Sequence, residues 1–387
     1  MNRKKVCVLS FSNIAWDSRV LREIHAAAKY YQVDVIGFGD WQPPAGVRYY
    51  PLPKTKRNIR YMATYVALLL AGRLNSTAWD RCFWQKTEYK LARDILINEK
   101  YDLIHANDWD GLPVAVSAAS GLQSRVLFDA HEYSVEQGMD ISFVALRVPF
   151  REYLLRTFGG NVAKMITVGD GIRDLYSTHF GWNSDVIMNV PYYVNSQFHP
   201  VDPSRVNLIH HGGAIRGRYI EDFISMVPAL DRRFHLNLML MPIDQAYLHE
   251  LKRKAHQIAD DRITFLEPVL PKDVVNTLAA FDIGIPLIRV NTRSYYHALP
   301  NKFFEYTMAG LGIAISPLPD MQRFVLGNQT GVVSPDQNWL SMANTLNALS
   351  ADAIEQFKKN SLDLAKILNA EVEMKKLMKI YADLLSN

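Results

Sequence analysis

Short apolar runs alternate with longer amphipathic ones along the chain, and few folds accept that order. KVCVLSF (5–11), VDVIGF (33–38), YDLIHAND (101–108), RVLFDAH (125–131), AKMITVG (163–169) and SDVIMNV (184–190) read as strands. Between them, DSRVLREIHAAAKYY (17–31), KTEYKLARDILINEK (86–100), DGLPVAVSAASG (110–121) and GIRDLYSTHFG (171–181) read as helices. Strands apolar on both faces, joined through helices, build parallel sheets of βαβ units. The fold class is therefore α/β.

The pattern then restarts. VNLIHHGG (206–213) ends in a glycine turn and leads to a helix from about Tyr219. HLNLMLM (235–241), ITFLEPV (263–269), DIGIPLI (282–288) and GIAIS (312–316) continue the second series of strands. YYVNSQFHPVDPS (192–204), with two prolines, reads as a linker. A long helical pattern covers 352–386. The expected organisation is an N-terminal Rossmann-like domain over 1–195, a second over 196–365, and a C-terminal helix over 366–387 that returns to the first domain. In such sheets ligands bind beyond the carboxyl ends of the strands, so a ligand between the halves is expected.

The 387 residues carry a formal charge of +4, with 49% hydrophobic and 21% charged residues. There is no long basic run and no zinc spacing, so nucleic acid is not an expected partner. The mild positive balance suits anionic substrates or an anionic membrane surface. Two cysteines, Cys7 and Cys82, do not make a disulfide framework. The start MNRKKVCVLSF reads as a first strand with a basic lead, not as a signal peptide, because Asn13, Asp17 and Arg19 follow its short apolar run. The longest apolar stretch, YMATYVALLLAG (61–72), is about half a membrane span. The expectation is a cytoplasmic protein without a membrane-spanning segment.

Four stretches carry chemistry. In LIHHGGAIRGRYIEDF (208–223), Gly212 and Gly213 let backbone approach a ligand, a helix N-terminus offers N–H groups, and Arg216 and Arg218 supply forks for phosphate oxygens. Together they read as a diphosphate cradle; the plain alternative is a strand-to-helix turn with surface arginines. DAHEY (129–133) gathers Asp129, His131 and Glu132 at a strand end, where His131 can bond a sugar hydroxyl and Glu132 can orient an acceptor. A satisfied histidine and a capping acid are the alternative. HANDWDGLP (105–113) sets Asn107, Asp108 and Asp110 ahead of a helix, where capping explains one acid. GDGIRDLY (169–176) reads equally well as a tight turn into a helix.

The fourth stretch is LPNKFFEYTMAG (299–310), a short helix bounded by proline and glycine. Phe304 and Met308 make its apolar face, while Asn301, Lys302 and Glu305 converge on one patch at i,i+3 and i,i+4. A carboxylate can hold the paired hydroxyls of a ribose, and a lysine can neutralise a phosphate. Gly310 and Gly312 would keep the walls low. The alternative is a surface Lys302–Glu305 pair of little energetic weight. No G-x-G-x-x-G follows the first strand, where SFSNIAWDSR stands instead, which argues against a nicotinamide dehydrogenase.

Taken in order, these landmarks resemble those of GT-B glycosyltransferases, and the chain is similar to glycosyltransferase family 4. DSRVLREIHAAAKYYQVDVIGF, YDLIHAND, FDAHEY, ITVGDGIRDLY and VIMNVPYY follow the family's N-terminal order. HHGGAIRGR stands at its phosphate loop and LPNKFFEYTMAGLGIAIS at its donor-binding helix. The resemblance implies two Rossmann-like domains facing a central cleft. It implies retaining transfer of a sugar from a UDP or GDP sugar, with no metal or other cofactor. Glu305 would bind the donor ribose and Arg216 or Arg218 the diphosphate, with Gly212, Gly213, Asn301 and Lys302 around them. His131, Glu132 and Arg216 would be the catalytic groups. His297 stands where many members have a first glutamate, eight positions before Glu305, and can replace it.

The acceptor, a glycan, a lipid-linked sugar or another hydroxyl compound of cell-surface polysaccharide or glycoconjugate synthesis, is expected to touch the first half through Asn13, Asp17 and Asp108. PKTKRNIRYMATYVALLLAGRL (53–74) sets Lys54, Lys56, Arg57 and Arg60 before an apolar run and Arg73 after it. ISFVALRVPFREYLLRTFGG (141–160) carries Arg147, Arg151 and Arg156. Either can rest on the inner face of a membrane as a peripheral contact; core-packed helices with basic flanks are the alternative. A nucleotide-sugar epimerase of the same fold and a non-catalytic sugar-nucleotide binder are the competing functions.

Overall fold

The computed structural model describes residues 3–137, 141–258, 261–286, 290 and 292–386. The chain divides into two compact units, residues 1–188 with 374–387, and residues 189–373.

The first unit is built on seven strands: β1 (Lys5–Asn13), β2 (Gln32–Phe38), β3 (Val47–Pro51), β4 (Leu103–Asn107), β5 (Arg125–Ala130), β6 (Lys164–Thr167) and β7 (Asp185–Val186). Their order is β3-β2-β1-β4-β5-β6-β7, all parallel. The two-residue period of β1 divides the core between the faces of the sheet. Val6 and Val8 pack with Val20, Ile24, Leu377 and Tyr381, whereas Cys7 and Leu9 pack with Leu112, Tyr89 and Phe150. Both cysteines are free and buried.

The second unit has six strands: β8 (Val206–Gly213), β9 (Phe234–Met241), β10 (Ile263–Leu266), β11 (Ile283–Gly284), β12 (Gly312–Ile315) and β13 (Gly331–Val333). Their order is β10-β9-β8-β11-β12-β13, again parallel. In both sheets the strand order reverses at the first strand of the series, so the carboxyl ends of β4 and β8 fall beside that reversal, with β5 next to β4.

Three expectations change. Only Asp185 and Val186 of the 184–190 run are strand; Ile187 N–H adds one bond to the Thr167 carbonyl at 2.9 Å, and the chain then continues as loop. The 352–386 pattern is two helices, Ala351–Ala365 and Ala370–Ser386. Asn369 separates them by accepting from Val372 N–H at 3.1 Å, a capping bond. Of the 282–288 run, only Ile283–Gly284 is strand, and residues 287–288 lie outside the described residues.

Among the described residues no helix is long and apolar enough to cross a membrane. The two basic segments differ. Helix Ile59–Ala71, capped by Asn58, leaves Ile59, Met62 and Leu70 exposed, and Leu74 just beyond it. In helix Ile141–Gly159, Phe150, Arg151, Leu154 and Leu155 are buried, so that stretch is core-packed.

Candidate active site

In the second unit, β8 delivers His210, His211, Gly212 and Gly213 to its carboxyl end. Gly212 has φ +138°, a conformation that disfavours any side chain. A β-carbon there would stand 3.2 Å from Lys302 Nζ and 3.7 Å from an Arg218 nitrogen. Lys302 and Arg218 thus reach the same patch of backbone from different elements. Burial, then the Arg218 guanidinium, pushes the Lys302 amine down to about 7, with Glu305 opposing. Two cations with too little counter-charge form a seat for an anion.

Lys302 and Glu305 project from helix Asn301–Ala309, which starts at Pro300 and ends at Gly310 with φ +75°. Glu305 Oε2 lies 3.2 Å from His211 Nε2 and stays partly exposed. The next residue, Tyr306, is buried, accepts from the His211 backbone N–H at 3.2 Å, and meets the His211 ring edge-to-face. His210 is turned away: its Nδ1 bonds the Ile285 carbonyl at 2.8 Å, and burial, then Lys302, holds its pKa well below the ordinary value. It is a neutral, structural histidine. Asn301 accepts from Asn189 at 2.7 Å. His297 bonds Asp320 at 2.7 Å through Nδ1, and Asp320 also takes Arg323 at 2.6 Å. His297 is therefore held in one orientation by a buried carboxylate.

The two arginines separate. Arg216 is exposed, bonds Glu250 at 2.6 Å, lies 3.4 Å from Asp244, and stacks over Tyr247. Only Arg218 approaches Gly212. The helix after the loop, Ile220–Met226, is short and carries Glu221 and Asp222 in its first turn. Its Ile220 N–H already donates to Tyr247 Oη at 3.2 Å. The expected anion-binding helix end is thus occupied, and its local acids oppose an anion. Gly213 faces Ile243 and Ile215. Gly310 and Gly312 do not form walls of the patch: side chains there would meet Leu362 and Phe357, so both glycines serve helix packing.

In the first unit the strand ends β4 and β5 bring Asn107, Asp129 and His131 together. His131 Nε2 lies 2.8 Å from Asn107 Oδ1 and 3.6 Å from Asp129, and Nδ1 is 3.5 Å from Asp108. Burial opposes the charge on His131, but Asp108 and Asp129 outweigh it and raise its pKa to about 10. The ring is an imidazolium at neutral pH. Asp108 has φ +60°, a left-handed backbone uncommon outside glycine, and it accepts from Gln137 at 3.1 Å. Asp110 turns elsewhere and accepts from Tyr89 at 2.8 Å. Glu132 is exposed, and its carbonyl accepts from Tyr176. Asn13 and Asp17 act as caps, accepting from Ala15 N–H and Val20 N–H. Asp170 pairs with Arg173 in the GDGIRDLY turn.

Beneath His131 lies a network whose long-range pairing the sequence reading missed. Arg19 grips both oxygens of Asp129, at 2.7 and 2.9 Å, and bonds the Ile187 carbonyl at 2.8 Å. Glu23 and His105 complete it, and His105 Nδ1 lies 2.7 Å from Tyr381 Oη. Glu23, His105 and Asp129 come within 4.8 Å of one another. Arg19 already fills the cation position there. Burial and the Asp129 charge push Glu23 well up, so it is the neutral acid, while Arg19 and His131 overcome burial to keep Asp129 ionised. One signal was visible: Arg19 and Glu23, an i,i+4 pair with 3.3 Å between Nε and Oε1, flank the apolar stripe Val20, Ile24, Ala27.

Residues 18–192 match the glycosyl transferase 4-like domain family. No curated protein matches the chain in sequence. Among solved structures, sucrose-phosphate synthase from Thermosynechococcus elongatus is similar at TM-score 0.74 and 17% identity, over 99% of this chain and 100% of that one. An α,α-trehalose 6-phosphate synthase from Burkholderia multivorans is similar at TM-score 0.69 and 13% identity, over 100% and 97%. HepE of Anabaena, solved with UDP and glucose, is similar at TM-score 0.69 and 14% identity, over 98% and 100%. Over nearly its whole length the chain has the GT-B fold of these structures, and the family match falls within its first unit.

Proposed function

We propose that the protein transfers a sugar from a nucleotide diphosphate sugar to a hydroxyl acceptor with retention of configuration. The observation that carries this reading is the meeting of Lys302 and Arg218 at Gly212, with Glu305 one helical turn beyond Lys302. The diphosphate sits against Gly212, where a side chain would fill its space. Arg218 and Lys302 take the charge that grows on the leaving oxygen. Glu305 accepts from the ribose hydroxyls, and His297, fixed by Asp320, faces the sugar in place of a carboxylate. HepE, similar in fold, has been solved with UDP and with UDP-glucose, which favours a uridine donor here.

In the transfer, the bond from C1 to the diphosphate oxygen breaks and the acceptor oxygen bonds C1 on the same face. The acceptor proton passes to the departing diphosphate. Nothing in this balance asks for a metal. His131 carries a full charge near pH 7, so it donates to sugar oxygens and does not serve as the base. The acceptor is a glycan or lipid-linked sugar of polysaccharide or glycoconjugate synthesis, held by the first unit. The exposed face of helix Ile59–Ala71 suits a peripheral contact with an anionic membrane from the cytoplasmic side.

The test is a thermal-shift screen with UDP, GDP and their sugars, followed by product analysis with each donor alone. A nucleotide that raises the melting temperature of the wild type but not of Glu305→Ala supports the reading. A rise that survives Glu305→Ala and Arg218→Met together overturns it. A new sugar isomer formed from donor alone marks an epimerase instead.

A further inference from the structure

The first unit contains a cavity of about 150 Å³ whose lining joins cations to aromatic rings. A space of that size admits a six-membered ring. Its floor is made by the buried Cys82, Phe83 and Tyr89, and Arg57 and Met62 stand exposed at its mouth. Tyr61 and Tyr65 lie nearly parallel on one side, with centroids 6.3 Å apart, and Trp109 and Phe150 complete the wall.

Four cations reach this space: Arg57, Lys86, Arg147 and Arg151. No carboxylate lines it among the described residues. Asp110 accepts from the hydroxyl of the lining Tyr89 at 2.8 Å. Arg151 is only 8% exposed. Its guanidinium lies over Trp109 at 4.7 Å and donates to the carbonyls of Ser134, at 2.9 Å, and Gln137. It makes no ion pair among the described residues. Burial and the neighbouring Arg147 hold its pKa below the ordinary value, and burial does the same to Lys86. Burying a cation against carbonyls alone is costly, and an anion from solution would relieve that cost.

The cavity also borders the His131 cluster. Gln137 gives its carbonyl to Arg151 and its amide to Asp108, which faces His131. Trp109 follows Asp108 directly in the chain. We propose that this cavity seats an anionic acceptor sugar, a six-membered ring bearing a phosphate or a carboxylate group. The ring lies against the tyrosine and tryptophan faces and the acidic group reaches Arg151 and Arg57. The word acceptor rests on the transferase reading; the binding of an acidic sugar does not.

The test is isothermal titration of the full chain with glucose 6-phosphate, glucuronate and glucose, with UDP titrated separately. Expected is binding of at least one acidic sugar tenfold or more tighter than glucose, the tighter of the two naming the acidic group. Arg57→Met and Arg151→Met should each weaken it at least tenfold and leave UDP affinity unchanged. Arg57 is on the surface, so its variant keeps the test decisive should Arg151→Met fail to fold. Equal affinity for glucose and both acidic sugars, or wild-type affinity in Arg57→Met and in a folded Arg151→Met, overturns the proposal. Acidic-sugar binding without any nucleotide binding would sink the transferase reading and leave the cavity assignment standing.

Discussion

Gly212 and Lys302 share one narrow space, since a β-carbon on the glycine would come within 3.2 Å of the lysine Nζ. An alanine there meets both the ammonium and an unfavourable φ of +138°. Gly212→Ala should therefore lower UDP affinity about tenfold or more, about 1.4 kcal/mol, by narrowing the seat. Calorimetric titration with UDP checks this, and unchanged affinity would remove the diphosphate from Gly212.

Lys302 gives nucleotide binding a pH dependence of defined sign. Its pKa is about 7 in the free protein, and a bound diphosphate raises it. Between the two values binding takes up a proton, so affinity falls as pH rises from 7 towards 9, by up to about tenfold per unit. Lys302→Met should bind more weakly at pH 7 and lose most of the slope. UDP dissociation constants at several pH values for both proteins decide it, the variant correcting for titration of the nucleotide itself.

Arg218 and Arg216 should behave differently. Arg218→Met removes a charged contact to the diphosphate and should cost about 1.5–3 kcal/mol of UDP binding. Arg216→Met breaks an exposed pair with Glu250 and should change UDP affinity less than about threefold. The reverse ranking would return the phosphate role to Arg216.

Gly284 is set by packing. A β-carbon on it would meet the Tyr306 ring at 2.2 Å, and Tyr306 anchors His211. Gly284→Ala should destabilise by about 1–3 kcal/mol through overpacking, read as a fall in melting temperature. It should also weaken UDP binding, because His211 stands beside Glu305. A variant as stable as wild type would refute the packing argument.

Local pattern carried much of this design. Proline and glycine bounded LPNKFFEYTMAG, and the helix runs Asn301–Ala309 between them. Its spacing brought Lys302 and Glu305 to one side, and Gly212 ends its strand beside Lys302 and Arg218. The choice between Arg216 and Arg218 was not legible, because Glu250 sits 34 residues from Arg216. Asp129 finds Arg19 at a separation of 110, and His105 finds Tyr381 at 276. Such pairs leave no period to read. Gly284 looked like an ordinary strand residue, for only the ring of Tyr306 explains it.

The bond from Tyr381 to His105 has a consequence for synthesis. Residues 374–386 belong to the first unit although they follow the whole second unit in the chain. A ribosome therefore releases nearly all of the early fold before it releases the piece that covers Val6, Val8 and Leu103. Until then that apolar face is open to water and to chaperones, and the first unit is the last to be finished.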